Sequence, residues 1–344
     1  MIKARQSNIE LFRIISMMMI LLVHADGASL GMPSLFQPWV ADGDFGTWSK
    51  ELVETFAIIG VNCFVLISGY FGIRLTGKRL INYILWCAFY SIVIYVAVCI
   101  VNPKLLVWEN AKNALLVFSG TDLWFIRDYL FLMLISPLLN LGVESMSRKQ
   151  FQLLIVGILV IDCYFGWFCE GSVDKNGYNI VHLSVMYLLA RYVSFYWRQV
   201  AVDEPKNVRR LSIIIYIFCF LSILGLTMVL PYVKVFSYNS PLVIAASVAF
   251  FMIFITLRFQ SSTVNWIASS SFAVYLIHKN PYIFGGLFVP LFKNLSAAHG
   301  YLMFTLLCIV ALITIFMDCV LIDRVRKLIT DPIVKFLCRI FHFA

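Results

Sequence analysis

Arg13 and His24 lie eleven positions apart in the apolar run that opens the chain. A helix advances about 100° per residue, so eleven residues make three turns plus about 20° and both side chains share one face. At 1.5 Å per residue they stand about 16 Å apart along the axis, so they act at different depths and do not touch. A guanidinium at one depth can hold an anionic group while an imidazole further along takes or gives a proton near neutral pH. The same pair also suits a snorkelling arginine and a buried histidine that donates to a backbone carbonyl.

Other ionisable residues lie within apolar runs, where each costs about 2.5–3.5 kcal/mol near a bilayer midplane and calls for a reason. They are Arg127, Asp128, Asp162, His182, Arg191, His278, Lys279 and Asp318. Arg127 and Asp128 point about 100° apart on a helix, so they need not pair, and a helix end with an aromatic anchor is their simplest role. Asp162 and Arg191 suit a structural ion pair between neighbouring spans, and Asp318 a buried, protonated carboxyl. Ser68 and Gly69 form a small step that lets a helix or a ligand approach the backbone. Arg74, Lys78 and Arg79 just beyond it suit the phosphates of a nucleotide-like donor, or topology alone.

The elements that position these residues are membrane helices. Of 344 residues, 61% are hydrophobic and 13% charged, and the mean hydropathy is +0.89. So little charge cannot cover a water-facing surface, and lipid must solvate much of the chain. Runs long enough to cross about 30 Å of hydrocarbon fall at 9 to 28, 55 to 73, 80 to 101, 123 to 142, 151 to 168, 180 to 197, 211 to 232, 240 to 258, 269 to 288 and 301 to 322. The expected fold class is therefore an all-α integral membrane protein of about ten transmembrane helices. One alternate set of loops holds seventeen Lys and Arg residues and the other six, so the positive-inside rule places both termini in the cytoplasm. The sparser set includes an acidic loop with Asp26, Asp42, Asp44, Glu51 and Glu54. The segment from Pro103 to Gly120 reads as an amphipathic helix on the membrane surface.

The net charge of +9 comes from short clusters between apolar runs and forms no stripe for nucleic acid. The nine cysteines sit mostly inside apolar runs with no CxxC spacing, so neither a metal site nor a disulfide framework is expected. The first run is too long for the apolar core of a signal peptide and is expected to remain as a span. Residues 1–344 read as a single polytopic domain with no appended soluble domain.

With these residues in view, the chain resembles membrane-bound acyltransferase family 3, whose members O-acetylate bacterial cell-surface sugars. The resemblance rests on the Arg13–His24 pair, the segment PheValLeuIleSerGlyTyrPhe from 64 to 71, LeuTrpPheIleArgAspTyrLeu from 123 to 130 with SerProLeuLeu from 136 to 139, and SerPheAlaValTyrLeuIleHis from 271 to 278. It implies transfer of an acetyl group from cytosolic acetyl-CoA to a hydroxyl of a cell-surface or exported polysaccharide such as a capsule or exopolysaccharide, in the cell membrane. It also implies His24 as the catalytic histidine with Arg13 as its partner. Ser68, Gly69, Arg74 and Arg79 become donor-binding residues, and Arg127, Asp128 and His278 further intramembrane candidates. No tightly bound cofactor is expected; the expected partners are acyl-CoA, an outer-face glycan, lipid and polysaccharide-assembly proteins. A transporter or flippase of a lipid-linked sugar would also need intramembrane charges, but no repeated halves or paired Gly/Pro-interrupted spans appear.

Overall fold

A computed structural model of the chain describes residues 5–30, 45–120, 123–169 and 176–341. Among them the regular elements are helices and no strand is present. In chain order they are α1 (Ser7–Leu30), α2 (Phe45–Ala57), α3 (Gly60–Phe71), α4 (Gly77–Val101), α5 (Trp108–Leu115), α6 (Trp124–Glu144), α7 (Arg148–Leu159), α8 (Ile180–Tyr196), α9 (Arg198–Asp203), α10 (Pro205–Leu226), α11 (Tyr232–Val235), α12 (Pro241–Ile255), α13 (Ser262–Ala268), α14 (Ser271–His278), α15 (Pro281–Ile283), α16 (Val289–Ala298) and α17 (Tyr301–Ile340). A π-helix, Val160–Phe168, continues α7, and a second, Phe284–Phe288, joins α15 to α16.

Among the described residues, seven stretches are long and apolar enough to cross a membrane: Ser7–Gly27, Ser49–Phe71, Gly77–Val101, Trp124–Glu144, Arg148–Phe168, Pro205–Leu226 and Tyr301–Ile340. Two shorter apolar helices, α8 and α12, coincide with two more expected spans. The long helices α4, α6, α7 and α17 turn apolar side chains outward, with Val101, Leu138, Leu153 and Leu302 largely exposed, as lipid contact requires. The chain is thus an all-α, multi-pass membrane protein.

The expected span at 269 to 288 departs from a single helix. It breaks after His278, where Asn280 takes extended backbone, caps the next turn by accepting from Tyr282 N–H at 3.1 Å, and is followed by Pro281 at the first helical position. The expected surface helix becomes a 3-10 turn, Pro103–Leu105, followed by α5, with Leu106, Trp108, Leu115 and Leu116 turned outward. The span expected at 55 to 73 starts earlier and has a turn between α2 and α3.

The Cα framework divides into two compact units: Met1–Ile73 with Leu138–Ser269, and Arg74–Pro137 with Ser270–Ala344. In the first, α3 packs against α1, α8 and α12, and α10 lies along α12. In the second, α4 and α14 pack on α17.

The α3–α8 contact needs Gly69. A Cβ at that position would fall 2.3 Å from the Tyr187 carbonyl oxygen and 2.7 Å from Ala190 Cβ. Gly69→Ala is expected to wedge these helices apart and destabilise the chain by about 1–3 kcal/mol, the usual range for overpacking. Thermal unfolding of the detergent-solubilised variant checks this; a midpoint equal to that of the native chain would refute the wedge.

Candidate active site

The first unit seats α1 firmly. Ser7 Oγ accepts from Ser261 N–H at 2.9 Å and lies 3.0 Å from Asn265 Oδ1, while Asn8 Nδ2 donates to the Phe254 carbonyl at 3.0 Å. Phe12 packs among Phe250, Phe251 and Phe254 with ring centroids 5.1–5.8 Å away. Higher up, Gly60 lets α3 approach so closely that a Cβ there would meet the Ser16 carbonyl oxygen at 2.9 Å. These contacts fix the rotation of α1 and therefore the direction of Arg13 and His24.

Both residues are half-buried on that helix. Arg13 Nε lies 3.6 Å from Glu10 Oε2, one turn earlier. Next to His24 in sequence, Ala25 and Asp26 are buried. Asp26 belongs to a charged cluster completed from α2, where Lys50, Glu51 and Glu54 are also buried and Asp26, Lys50 and Glu54 act on one another electrostatically. Tyr232 donates to Glu54 Oε1 at 2.7 Å. Asp26, Glu51 and Glu54 were expected in a solvent-facing loop; they lie on helices instead, because α2 begins well before the apolar run and carries its charged side chains inward. Asp42 and Asp44 lie outside the described residues.

A second polar cluster in this unit joins three helical segments. His182 Nδ1 lies 2.9 Å from Asp162 Oδ2, and its Nε2 lies 2.8 Å from Asn62 Oδ1. The Asn62 amide nitrogen donates to the Tyr238 carbonyl at 3.0 Å, which leaves its oxygen facing the imidazole as acceptor. Both ring nitrogens therefore face side-chain oxygens of the neighbouring segments. The expected Asp162–Arg191 ion pair does not form: Arg191 Nη2 meets Glu144 Oε1 at 3.3 Å. Arg191 is nine residues beyond His182, about 13 Å along α8, so a carboxylate level with one cannot serve the other.

Ser68 and Gly69 lie near the end of α3, Gly69 against α8. The remaining candidates lie in the second unit. Arg74 and Arg79 are exposed; Arg79 Nη1 donates to the Arg74 carbonyl at 2.9 Å, and its N–H is taken by the Thr76 hydroxyl that caps α4. Arg127 and Asp128 do pair, with Nε to Oδ1 at 3.1 Å and Nη2 to Oδ2 at 3.4 Å, because the long guanidinium stem swings round to its neighbour. Asp128 is buried and Arg127 half-buried. His278, at the end of α14, is buried against Phe288 and Tyr275, and its Nδ1 donates to the Val274 carbonyl one turn back.

Sequence reading missed the densest network of the second unit. Asp323 Oδ1 accepts from Arg326 Nε at 2.7 Å and from the Tyr90 hydroxyl at 3.0 Å. Lys327 Nζ lies 3.1 Å from Asp323 Oδ2 and donates to Ser270 Oγ at 2.9 Å. Arg326 also donates to Thr330 Oγ1 and stands over the Trp86 ring. The only signal was the spacing Asp323, Arg326, Lys327 and Thr330, which stacks four polar groups on one face of α17. Asp318, expected to be buried, is exposed.

Two features thus stand out on α1: the half-buried imidazole of His24 and, two residues on and about 200° round the helix, a buried cluster of acidic side chains in which Glu54 accepts a hydroxyl hydrogen bond. Among the described residues no three His, Cys, Asp or Glu side chains are grouped to hold a metal ion. Against known families, the chain matches the acyltransferase-domain model over residues 6–320. No curated protein and no solved structure matches it.

Proposed function

From the premise that this chain belongs to acyltransferase family 3 and is a membrane acyltransferase, we propose that it moves an acetyl group from cytosolic acetyl-CoA to a hydroxyl of a cell-surface or exported polysaccharide. Its place is the cytoplasmic membrane, with both termini inside, and acetyl-CoA serves as substrate with no tightly bound cofactor. The observation that carries the reading is the placement of His24, half-buried on one face of α1 with Arg13.

In this reading His24 removes the proton of the acceptor hydroxyl as its oxygen attacks the thioester carbonyl; the C–S bond breaks and the CoA sulfur leaves, finally taking up that proton. The alternative route has the imidazole attack first and carry the acetyl group. Arg13 holds negative charge of the donor or of the developing oxyanion.

Mass analysis of the host's surface glycans tests the proposal, with O-linked acetyl released by mild alkali from wild type, a deletion strain and a strain restored with the native gene. Acetyl is expected to vanish on deletion and return on restoration. Glycans that keep their acetyl groups but accumulate inside the membrane on deletion would replace the proposal with transport of a lipid-linked sugar.

A further inference from the structure

A separate cavity opens at the N-terminal end of α1, wholly within the first unit. It encloses about 410 Å³, within the usual range of small-molecule sites. Its polar lining is Gln6, Asn8, Tyr70, Arg198, Arg258 and Gln260; the remaining walls are apolar and no acidic side chain contributes. The larger cavity of this unit, about 840 Å³, is lined almost wholly by apolar side chains and offers no charge to an anion.

The basic cavity is built on held parts. Arg258 Nη2 donates to the Val202 carbonyl at 2.7 Å, tying the segment after α12 to α9. Arg198 stands 5.9 Å from the centre of the Tyr70 ring. Ser7 Oγ lies 3.1 Å from Gln260 Oε1, and Asn8 is anchored on Phe254. Two guanidinium groups flanked by amides, with no carboxylate, make a site for a doubly or multiply charged phosphate, since a guanidinium fork matches phosphate oxygens in pairs. Both arginines are exposed, so the site is open to a soluble ligand.

We infer that this cavity holds the phosphate-bearing nucleotide end of the acyl donor, gripped by Arg198 and Arg258. The inference rests on the acyl-transfer reading and deepens it. Asn8 and His24 are sixteen residues apart on α1, about 24 Å along the axis, with Arg13 between them. A donor anchored at the base of this helix by its phosphates needs an extended arm between phosphate and acyl group, which is the construction of an acyl-CoA. The step adds no chemistry of its own: it binds and orients. It also moves donor recognition away from Gly69, whose tight packing on α8 leaves no room for a ligand, to its neighbour Tyr70, which lines the cavity.

The test uses the full chain in lipid nanodiscs, two acyl donors and one binding probe. Acetyl-CoA carries the nucleotide phosphates; S-acetylpantetheine keeps the thioester and lacks them. Arg198→Gln and Arg258→Gln are each expected to raise the KM for acetyl-CoA about ten-fold or more, the worth of a charge-assisted contact, while the KM for S-acetylpantetheine moves less than about two-fold. Arg210→Gln, at an exposed arginine outside the cavity, leaves both values unchanged. Binding of adenosine 3′,5′-bisphosphate to the native chain is expected to weaken by a similar factor in the two cavity variants. An unchanged KM for acetyl-CoA, or an equal rise for both donors, overturns the inference. Should the native chain transfer acetyl from neither donor, the functional reading falls, and the binding measurement alone decides the cavity.

Discussion

Replacing His24 by alanine is expected to abolish the proposed acetyl transfer and to leave the membrane fold in place. The residue is half-buried, so the substitution opens little internal volume, and alanine is the best helix former, so α1 keeps its course. The seat of α1, from Ser7 and Asn8 through Phe12 to the close approach of Gly60, does not involve the imidazole. On the proposed mechanism the substitution removes the general base, a role that contributes about 10²- to 10⁴-fold, so turnover is expected to fall by at least that factor. Assay of purified native and variant chains, matched by thermal unfolding, measures it. A variant that folds normally and retains more than about a tenth of native turnover would remove His24 from the mechanism, since that loss is below the range for a general base. Isolating a labelled acyl-enzyme from the native chain but not from the variant would favour the carrier route over the base route.

Asp323→Ala has the largest effect expected on stability. Asp323 is fully buried and Arg326 nearly so, and the carboxylate receives Arg326, Tyr90 and Lys327 together. Its removal leaves a buried guanidinium facing no negative partner. A histidine in that position would escape by losing its proton; arginine does not. Breaking a buried pair by deleting one partner costs about 3–5 kcal/mol, far more than a surface pair is worth. The unfolding midpoint of the solubilised variant is therefore expected to drop sharply. The double variant Asp323→Leu with Arg326→Met, which removes both charges, is expected to recover most of the loss. A single variant as stable as the native chain would show that the network adds nothing.

What the sequence disclosed depended on how local each feature is. Runs of apolar residues report helices directly, and nine of the ten expected runs coincide with helices. The exception at 269 to 288 breaks where Asn280 and Pro281 end one helix and start another, and hydropathy averaged over a window does not register that pair. The shared face of Arg13 and His24 was legible because helical periodicity within one element settles it. Partners on other elements were not. Asp162 found His182 where a match of charges suggested Arg191, since the choice depends on the depth at which the π-helix after α7 presents the carboxylate. Asp318 and Asp323 are five residues apart, which turns them about 140° around α17. The first is exposed and the second buried, and only the polar stripe Asp323, Arg326, Lys327 and Thr330 marks the difference between their faces in the sequence. The division into two interleaved units was equally hidden, because composition does not change at Ile73, Pro137 or Ser269.

The central claim is that this chain itself moves an acyl group from a CoA thioester to a glycan hydroxyl. Its most direct test places the purified chain in sealed lipid vesicles, supplies [acetyl-¹⁴C]acetyl-CoA on the face carrying the basic loops, and follows the label into a surface glycan of the host offered on the opposite face. The account predicts alkali-labile label on the glycan, appearing with the native chain and absent with His24→Ala. Label that stays on CoA in the presence of a folded native chain and the host's own glycan would contradict it.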